Sequence, residues 1–226
     1  MKDAADRLAA RFGPAARDWV ARAPAVAAQL ASRWGFRLAE EIEGGASSVV
    51  WRCRWPDGTP AVLKLSPDRA LLTEQAGMLR LFGPSGRVPA VLATDSEAGA
   101  MVLEEILPGT EAVCLPPGPL PEQWAGLLAA LHAVPPPPRL ARDLRGRCDE
   151  SFSRIGRRLS EPLISRHIGQ PAWQRAIGRC RRLLDTQTRP VLLHGDLHLG
   201  NARRRRPRPG GHRPQGVPRR SVLRRR

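Results

Sequence analysis

The chain has 226 residues, 37 basic and 21 acidic side chains, and a formal net charge of +16 at pH 7. This length suits one domain of two lobes or two small domains, with enough chain to bury a core. An apolar fraction of 42% excludes a wholly disordered chain, and no apolar run approaches the length of a membrane-spanning helix.

The N-terminus and the cysteines indicate a cytoplasmic protein. Asp3 and Asp6 interrupt the first residues, which lack the continuous apolar stretch of a signal peptide. The 4 cysteines lie far apart in the sequence and form no C-x-x-C pair. Neither a zinc site nor a disulfide framework is therefore expected, and a reducing cytoplasm is the expected location.

The positive charge is concentrated at the C-terminus. Residues 203–226 contain 11 arginines and no acidic residue, so the first 202 residues carry a net charge of only +5. One interpretation of this tail is a basic arm that binds nucleic acid or another polyanion. The tail has no lysine and no aromatic residue for base stacking, however, so no specific nucleic-acid partner is expected.

The first half of the chain is predicted to begin with helices and to continue as strands. Residues 1–34 form an Ala/Arg-rich helical segment, with breaks expected near Pro14 and Pro24. Residues 35–107 are predicted to be a β-rich lobe. Its predicted elements are a hairpin of residues 49–54 and 61–65, a helix from Asp68 to Phe82, and strands at 88–94 and 101–106.

The second half is predicted to be mainly helical. A short linker near Pro108–Gly109 introduces residues 108–202, in which a short apolar strand at 190–193 leads to His194. Residues 203–226 are expected to be a disordered tail. The predicted class is α+β, with a β-rich N-terminal lobe and a helical, incomplete C-terminal lobe.

The strongest chemical signal is the string HGDLHLGN at residues 194–201. An Asp followed five residues later by an Asn, on a loop after a buried strand, is typical of phosphoryl transfer. Asp196 would take or orient the proton of the attacking hydroxyl, and the amide oxygen of Asn201 would ligate Mg²⁺. An ordinary turn and a His/Asp/His metal cluster are the alternatives for this string.

Small residues in the first half predict a phosphate-binding loop. Gly44, Gly45, Ser47 and Ser48 join a predicted strand ending near Glu43 to the strand that begins at Val49, and their backbone N–H groups and hydroxyls could approach a phosphate. An ordinary hairpin loop of small residues is the alternative. Lys64 lies on the next strand and is the only lysine besides Lys2 in this arginine-rich chain. A lysine supplies a compact point charge that the wide guanidinium of arginine does not, which favours a functional role over chance.

Glu74 is predicted to be the partner of Lys64. Leu71, Glu74, Met78 and Leu81 share one face of the predicted helix, and a carboxylate among core side chains needs a positive partner. We therefore expect an ion pair that holds Lys64 over the phosphates. The alternative places Glu74 at the edge of the apolar stripe, in solvent.

Together these residues resemble a known family. HGDLHLGN is similar to the catalytic loop of the aminoglycoside phosphotransferases, which have a protein-kinase-like, two-lobe fold. WPDGTPAVLK at residues 55–64, Leu103–Glu105 and LAALHAVP at residues 128–135 resemble the streptomycin 6-phosphotransferase and hydroxyurea phosphotransferase branch. The resemblance covers about residues 34–201.

The resemblance implies a role for each site residue. Asp196 would be the catalytic base, Asn201 a Mg²⁺ ligand, Lys64 the phosphate-binding lysine and Glu74 its partner. The backbone from Glu104 to Ile106 would hold the adenine of ATP. The implied reaction transfers the γ-phosphoryl group of ATP to a hydroxyl of a streptomycin-like aminoglycoside, or to hydroxyurea. A nucleotide-binding pseudokinase without turnover is the alternative.

The chain departs from the family after residue 202. No Asp or Glu follows Asp196, although such kinases carry a second acidic Mg²⁺ ligand shortly after the catalytic loop. Read one base later, the codons for residues 211–215 permit Ala-Ile-Asp-Pro-Lys, and those for 219–225 permit Gly-Asp-Pro-Cys-Phe-Asp. Both strings are similar to family segments expected there. We therefore expect a truncated or frame-shifted C-terminus and impaired activity.

The coding DNA tests the frame shift directly. The shifted frame should run without a stop codon from the Ala202 codon at least to position 226. A stop codon inside that stretch contradicts the frame shift and leaves the arginine tail as a genuine basic arm.

Overall fold

The computed structural model describes residues 2–45, 47–138 and 143–206. It contains two compact units: residues up to 131 together with those from 194 onward, and residues 132–193. This division differs from the predicted boundaries, because the HGDLHLGN loop belongs to the unit that contains the strands. None of the helices described is both long enough and apolar enough to cross a membrane.

Two helices open the first unit. Helix α1 spans Lys2–Phe12 and α2 spans Ala16–Trp34. Gly35 ends α2 in the left-handed conformation with φ 76°, and its N–H donates to the carbonyl oxygen of Ala31. The predicted break near Pro14 is confirmed, whereas Pro24 lies inside α2 and does not interrupt it.

A five-stranded antiparallel sheet follows, in the spatial order β1-β2-β3-β5-β4. The strands are β1 Arg37–Ile42, β2 Val49–Arg54, β3 Pro60–Leu65, β4 Val91–Asp95 and β5 Ala100–Glu104. The predicted hairpin is present as β2 and β3. Its turn is fixed by Asp57, whose carboxylate accepts a hydrogen bond of 2.9 Å from the backbone N–H of Thr59.

The strand β3 has two differently covered faces because side chains alternate along a strand. Leu63 and Leu65 are fully buried and belong to the core formed with α1 and α2. Val62 lies on the other face, where helix α3 (Arg69–Phe82) covers the sheet through Leu72 and Ala76. The sheet of this unit is therefore packed between α1 and α2 on one side and α3 on the other.

Two further strands form a small antiparallel sheet. Strand β6 spans Pro108–Glu111 and pairs with β7, Arg203–Arg205. The expectations of a linker at Pro108–Gly109 and of disorder from residue 203 are therefore wrong for these segments. Cross-strand hydrogen bonds between backbone groups order both of them. The rest of the tail, residues 207–226, lies outside the described residues.

The remaining helices are α4 Leu120–His132, α5 Leu144–Gly156, α6 Pro162–Ser165 and α7 Gln170–Asp185. In the second unit, α5 and α7 meet through Phe152 and Trp173, whose rings lie edge to face with centroids 5.2 Å apart. Burial and the neighbouring Cys180 thiol raise the pKa of Cys148.

The prediction of a strand at residues 190–193 is wrong. This segment is described but belongs to neither of the two sheets.

The start of α3 depends on Asp68. Its side chain accepts a hydrogen bond of 2.9 Å from the backbone N–H of Leu71, which satisfies one of the unpaired donors at the helix N-terminus. We expect Asp68→Ala to lower the free energy of unfolding by about 1 kcal/mol, measured by urea denaturation. Asp68→Asn should restore most of the loss because asparagine is also a good N-cap.

Glu74→Ala is the matched control, since Glu74 lies on the exposed face of the same helix. That variant should stay within about 0.5 kcal/mol of wild type. Equal losses in Asp68→Ala and Glu74→Ala would contradict the capping role.

Candidate active site

The loop of residues 194–201 brings Asp196 and Asn201 together. The side-chain amide of Asn201 donates to the backbone oxygen of Asp196 and to its carboxylate Oδ2, both at 2.9 Å. The backbone N–H of Asn201 donates to the carbonyl oxygen of His198 at 2.9 Å, which closes a turn between the two side chains. Because both side-chain bonds use Nδ2 of Asn201, its Oδ1 atom is not engaged in them.

His194 supports the start of this loop. Its ring centroid lies 6.1 Å from that of Phe82, a buried side chain at the end of α3. Burial lowers the pKa of His194; the carboxylate of Asp196 opposes this effect, and His198 adds to it. The contact with the Phe82 ring therefore places His194 against the end of α3, at the start of the loop.

Lys64 is hydrogen-bonded to α3, although not to the residue that the sequence predicts. Its Nζ atom donates to Oε1 of Gln75 at 2.8 Å. Glu74 lies on the exposed face of the helix, so the predicted Lys64–Glu74 ion pair is wrong. Leu72 and Ala76 form the buried face of the helix, which is therefore displaced by one residue from the predicted apolar face.

The predicted phosphate loop joins β1 to β2. Gly44 and Gly45 have φ angles of 107° and 85°, which L-residues with side chains rarely adopt. The carbonyl oxygen of Ser47 accepts a hydrogen bond of 2.8 Å from Oγ of Ser66, and Ser48 is only 2% exposed. The loop is thus anchored at its C-terminal end, and residue 46 lies outside the described part of the chain.

Helix α1 holds the other end of the same loop. Nη2 of Arg7 donates to the carbonyl oxygen of Gly44 at 3.0 Å, and Asp3 forms an ion pair with Nη1 of Arg7. The sequence gives no motif for this contact, because Arg7 lies 37 residues from Gly44 in an otherwise unremarkable helix.

Comparison with known proteins decides the family. The model of the phosphotransferase enzyme family (APH) matches residues 39–216, which is most of the chain. The chain belongs to this family. The match includes β2, β3, α3 and the 194–201 loop, and it extends beyond the predicted limit at residue 201.

Sequence similarity to two phosphotransferases supports the predicted branch of the family. The chain is 31% identical over 196 residues to a streptomycin 6-kinase of Streptomyces griseus, covering 84% of this chain and 60% of that protein. It is 30% identical over 199 residues to a hydroxyurea phosphotransferase of Kitasatospora aureofaciens, covering 84% and 56%. The chain therefore spans about three fifths of the length of these relatives.

The fold of the family is confirmed by a solved structure. The macrolide 2′-phosphotransferase of Brachybacterium faecium superimposes with a TM-score of 0.52 at 21% identity. The superposition covers 76% of this chain and 64% of that one. The predicted α+β, kinase-like fold is thus present, with its antiparallel sheet and helices.

The segment predicted to hold adenine is fixed by its side chains. Glu104 at the end of β5 accepts from both terminal nitrogens of Arg205, at 2.8 and 3.2 Å, and from the backbone N–H of Ala90. Gly109 closes the following turn, where a Cβ atom would lie 2.6 Å from the carbonyl oxygen of Ile106. The end of β5 is therefore joined to β7 through the side chain of Glu104.

A second arginine of β7, Arg203, contacts β6. Arg203 donates to the carbonyl oxygen of Gly109 at 2.9 Å and to a carboxylate oxygen of Glu111 at 3.0 Å. Neither Arg203 nor Arg205 is predicted from the sequence, in which they are part of a uniform arginine run. The pairing partners are more than ninety residues away, so no local spacing could have indicated them.

The donor set around Asn201 fits Mg²⁺ only in part. Oδ1 of Asn201 is the oxygen of this loop that could ligate the ion, because Nδ2 makes both side-chain hydrogen bonds to Asp196. Within the described residues no group of three or more His, Cys, Asp or Glu side chains could hold a metal. Such a site suits Mg²⁺ that keeps several waters and is otherwise bound by the phosphates of a nucleotide.

The Arg205–Glu104 pair should hold the loop of residues 194–201 to the sheet. We expect Arg205→Ala to lower the free energy of unfolding by about 1–2 kcal/mol, because both partners are mostly buried and the pair is bidentate. Amide hydrogen exchange should also accelerate in residues 196–202, which lead directly into β7.

Arg204→Ala is the control, since Arg204 is the exposed residue between the two pairing arginines. Arg204→Ala should change the free energy of unfolding by no more than about 0.5 kcal/mol, and amide exchange in residues 196–202 should stay as in wild type. Unchanged exchange of the loop in Arg205→Ala would show that the pair does not hold it.

Proposed function

We propose that the chain is a small-molecule kinase, which transfers the γ-phosphoryl group of ATP to a hydroxyl of a streptomycin-like aminoglycoside or to hydroxyurea. The observation that carries this proposal is the contact between Asp196 and Asn201 on one tight loop. The family match and the names of the relatives support the same reaction class.

Asp196 is the proposed catalytic base. One of its carboxylate oxygens is held by the Asn201 amide, and the residue is exposed, so a substrate hydroxyl can approach the carboxylate. A carboxylate within hydrogen-bond reach of that hydroxyl can accept its proton as the oxygen attacks phosphorus. The hydrogen bond from Asn201 fixes the orientation of the carboxylate before the substrate arrives.

The nucleotide is proposed to lie along the sheet of the first unit. The ammonium group of Lys64 binds its phosphates, and the glycine loop at Gly44, Gly45, Ser47 and Ser48 offers backbone N–H groups to them. The backbone of Glu104 to Ile106 binds adenine. Oδ1 of Asn201 is the proposed Mg²⁺ ligand, and the ion would neutralise charge on the phosphates when it is bound.

The acceptor is proposed from the relatives alone. Streptomycin and hydroxyurea appear in the names of proteins that are about 30% identical to this chain. A kinase for such molecules uses cytoplasmic ATP and needs neither a membrane nor a specific nucleic acid. Arg203 and Arg205 lend no support to polyanion binding, because their guanidinium groups are bonded to Glu111 and Glu104.

Transfer of radioactive phosphate from γ-labelled ATP to streptomycin or hydroxyurea tests the reaction. We expect only slow, Mg²⁺-dependent product, because the expected second acidic Mg²⁺ ligand is missing after Asp196, and Asp196→Asn should abolish it because the base is lost. Asp18→Asn is the control; that exposed residue of α2 lies away from the loop in the sequence, and its rate should equal wild type.

A parallel measurement of ADP binding separates the alternatives. Binding without phosphorylation of either acceptor would support a pseudokinase and contradict the kinase. Absence of both binding and turnover would contradict any nucleotide-dependent function for this chain.

A further inference from the structure

Lys64 lies on the α3 side of the sheet among apolar side chains. It is directly opposite Val50 on β2 and Met101 on β5. Met101 is 1% exposed and packs with Leu72 and Ala76 of α3. Since opposite residues of antiparallel strands share a face, the aliphatic part of Lys64 lies beside this cluster. Burial lowers the pKa of Lys64, which shows the cost of keeping its charge there.

The partner of Lys64 carries no charge. Gln75 accepts the hydrogen bond through an amide oxygen, which orients the ammonium group without neutralising it. The acidic residue next to it, Glu74, lies on the exposed face of α3. Among the described residues no carboxylate forms an ion pair with Lys64, and burial is the one influence that moves its pKa.

We propose that Gln75 is a positioning residue that aims Lys64 while leaving its charge uncompensated, so that the phosphates of the bound nucleotide serve as its counterion. This inference rests on the proposed function and goes beyond it, because it assigns a role to Gln75 and couples phosphate binding to the protonation of Lys64. The coupling is reciprocal: whatever stabilises the ammonium form also strengthens phosphate binding.

The physical reason is the cost of an unpaired charge away from water. An ammonium group desolvated by its surroundings is stabilised when an anion arrives, and its pKa then rises. A carboxylate in place of Gln75 would supply that stabilisation in the free protein and would compete with the phosphates for the same protons of Nζ. The amide of Gln75 does neither.

The two lysines of this chain make the test simple. Protein grown with lysine labelled with ¹³C at Cε gives two side-chain signals, from Lys2 and Lys64, and Lys64→Arg identifies them. Titration from about pH 7 to about pH 10.5 reports the pKa of Lys64 directly. The probes are Mg²⁺-free ADP and adenosine, which has the same base and ribose without phosphates.

In wild type the pKa of Lys64 should lie below its usual range. Saturating ADP should raise it by about one unit or more, and adenosine should not change it. Gln75→Leu should lower the pKa of Lys64 further and weaken ADP binding about tenfold, because the charged hydrogen bond is lost. Gln75→Glu should raise the pKa in the free protein and reduce the further rise caused by ADP.

The matched control is Glu74→Gln, on the neighbouring residue of the same helix. It should reproduce the wild-type pKa of Lys64 and bind ADP within about twofold of wild type. If Gln75→Leu does not fold, the comparison of Gln75→Glu with wild type carries the test, because it preserves the polar partner.

The outcomes separate this inference from the proposed function. A wild-type protein that binds no ADP contradicts both. A wild-type protein that binds ADP with an unchanged Lys64 pKa overturns the inference and leaves the nucleotide site standing. The same conclusion follows if Gln75→Leu and Glu74→Gln behave alike.

Discussion

The bidentate pair of Arg205 with Glu104 connects the parts of the first unit that matter for its chemistry. Glu104 ends the strand β5, and Arg205 lies in β7, four residues after Asn201. The two charges are 19% and 24% exposed, so their attraction is only partly screened by water. Through this pair the loop that carries Asp196 is fastened to the edge of the segment proposed to bind adenine.

The sheet also determines where the nucleotide phosphates would lie. Its face toward α1 and α2 is an apolar core, whereas the face toward α3 carries Lys64 beside Met101. A charged side chain tolerates such a place when its head reaches a polar atom, which Gln75 supplies. The fold thus holds the ammonium group of Lys64 in a region where water screens its charge poorly.

The sequence predicted much of this unit because its signals are local. Strand alternation and a turn rich in Pro, Asp and Gly located the hairpin of β2 and β3, and the polar Asp68 marked the start of α3. The sequence also predicted that Asp196 and Asn201 lie five residues apart on one loop, and the structure shows that they are in contact.

The partner of Lys64 was mispredicted because two apolar stripes compete on α3. Leu71, Met78 and Leu81 suggested one face, but Leu72 and Ala76 form the buried one. Adjacent residues of a helix point about 100° apart, so an error of one position moved the contact from Gln75 to Glu74. The Leu72, Ala76, Leu79 spacing was also in the sequence, and it fits the helical period equally well.

The sequence by itself determined the family, the β-rich first half and the loop of residues 194–201, since each is marked by residues that are neighbours along the chain. Only the tertiary structure decided that Gln75 holds Lys64, that Arg7 holds the glycine loop and that Arg203 and Arg205 form a strand. These contacts join residues between 11 and 101 positions apart. The net charge of +16 therefore does not describe one uniform basic surface. Arg203 and Arg205 contribute to it, but their guanidinium groups are paired with the carboxylates of Glu111 and Glu104.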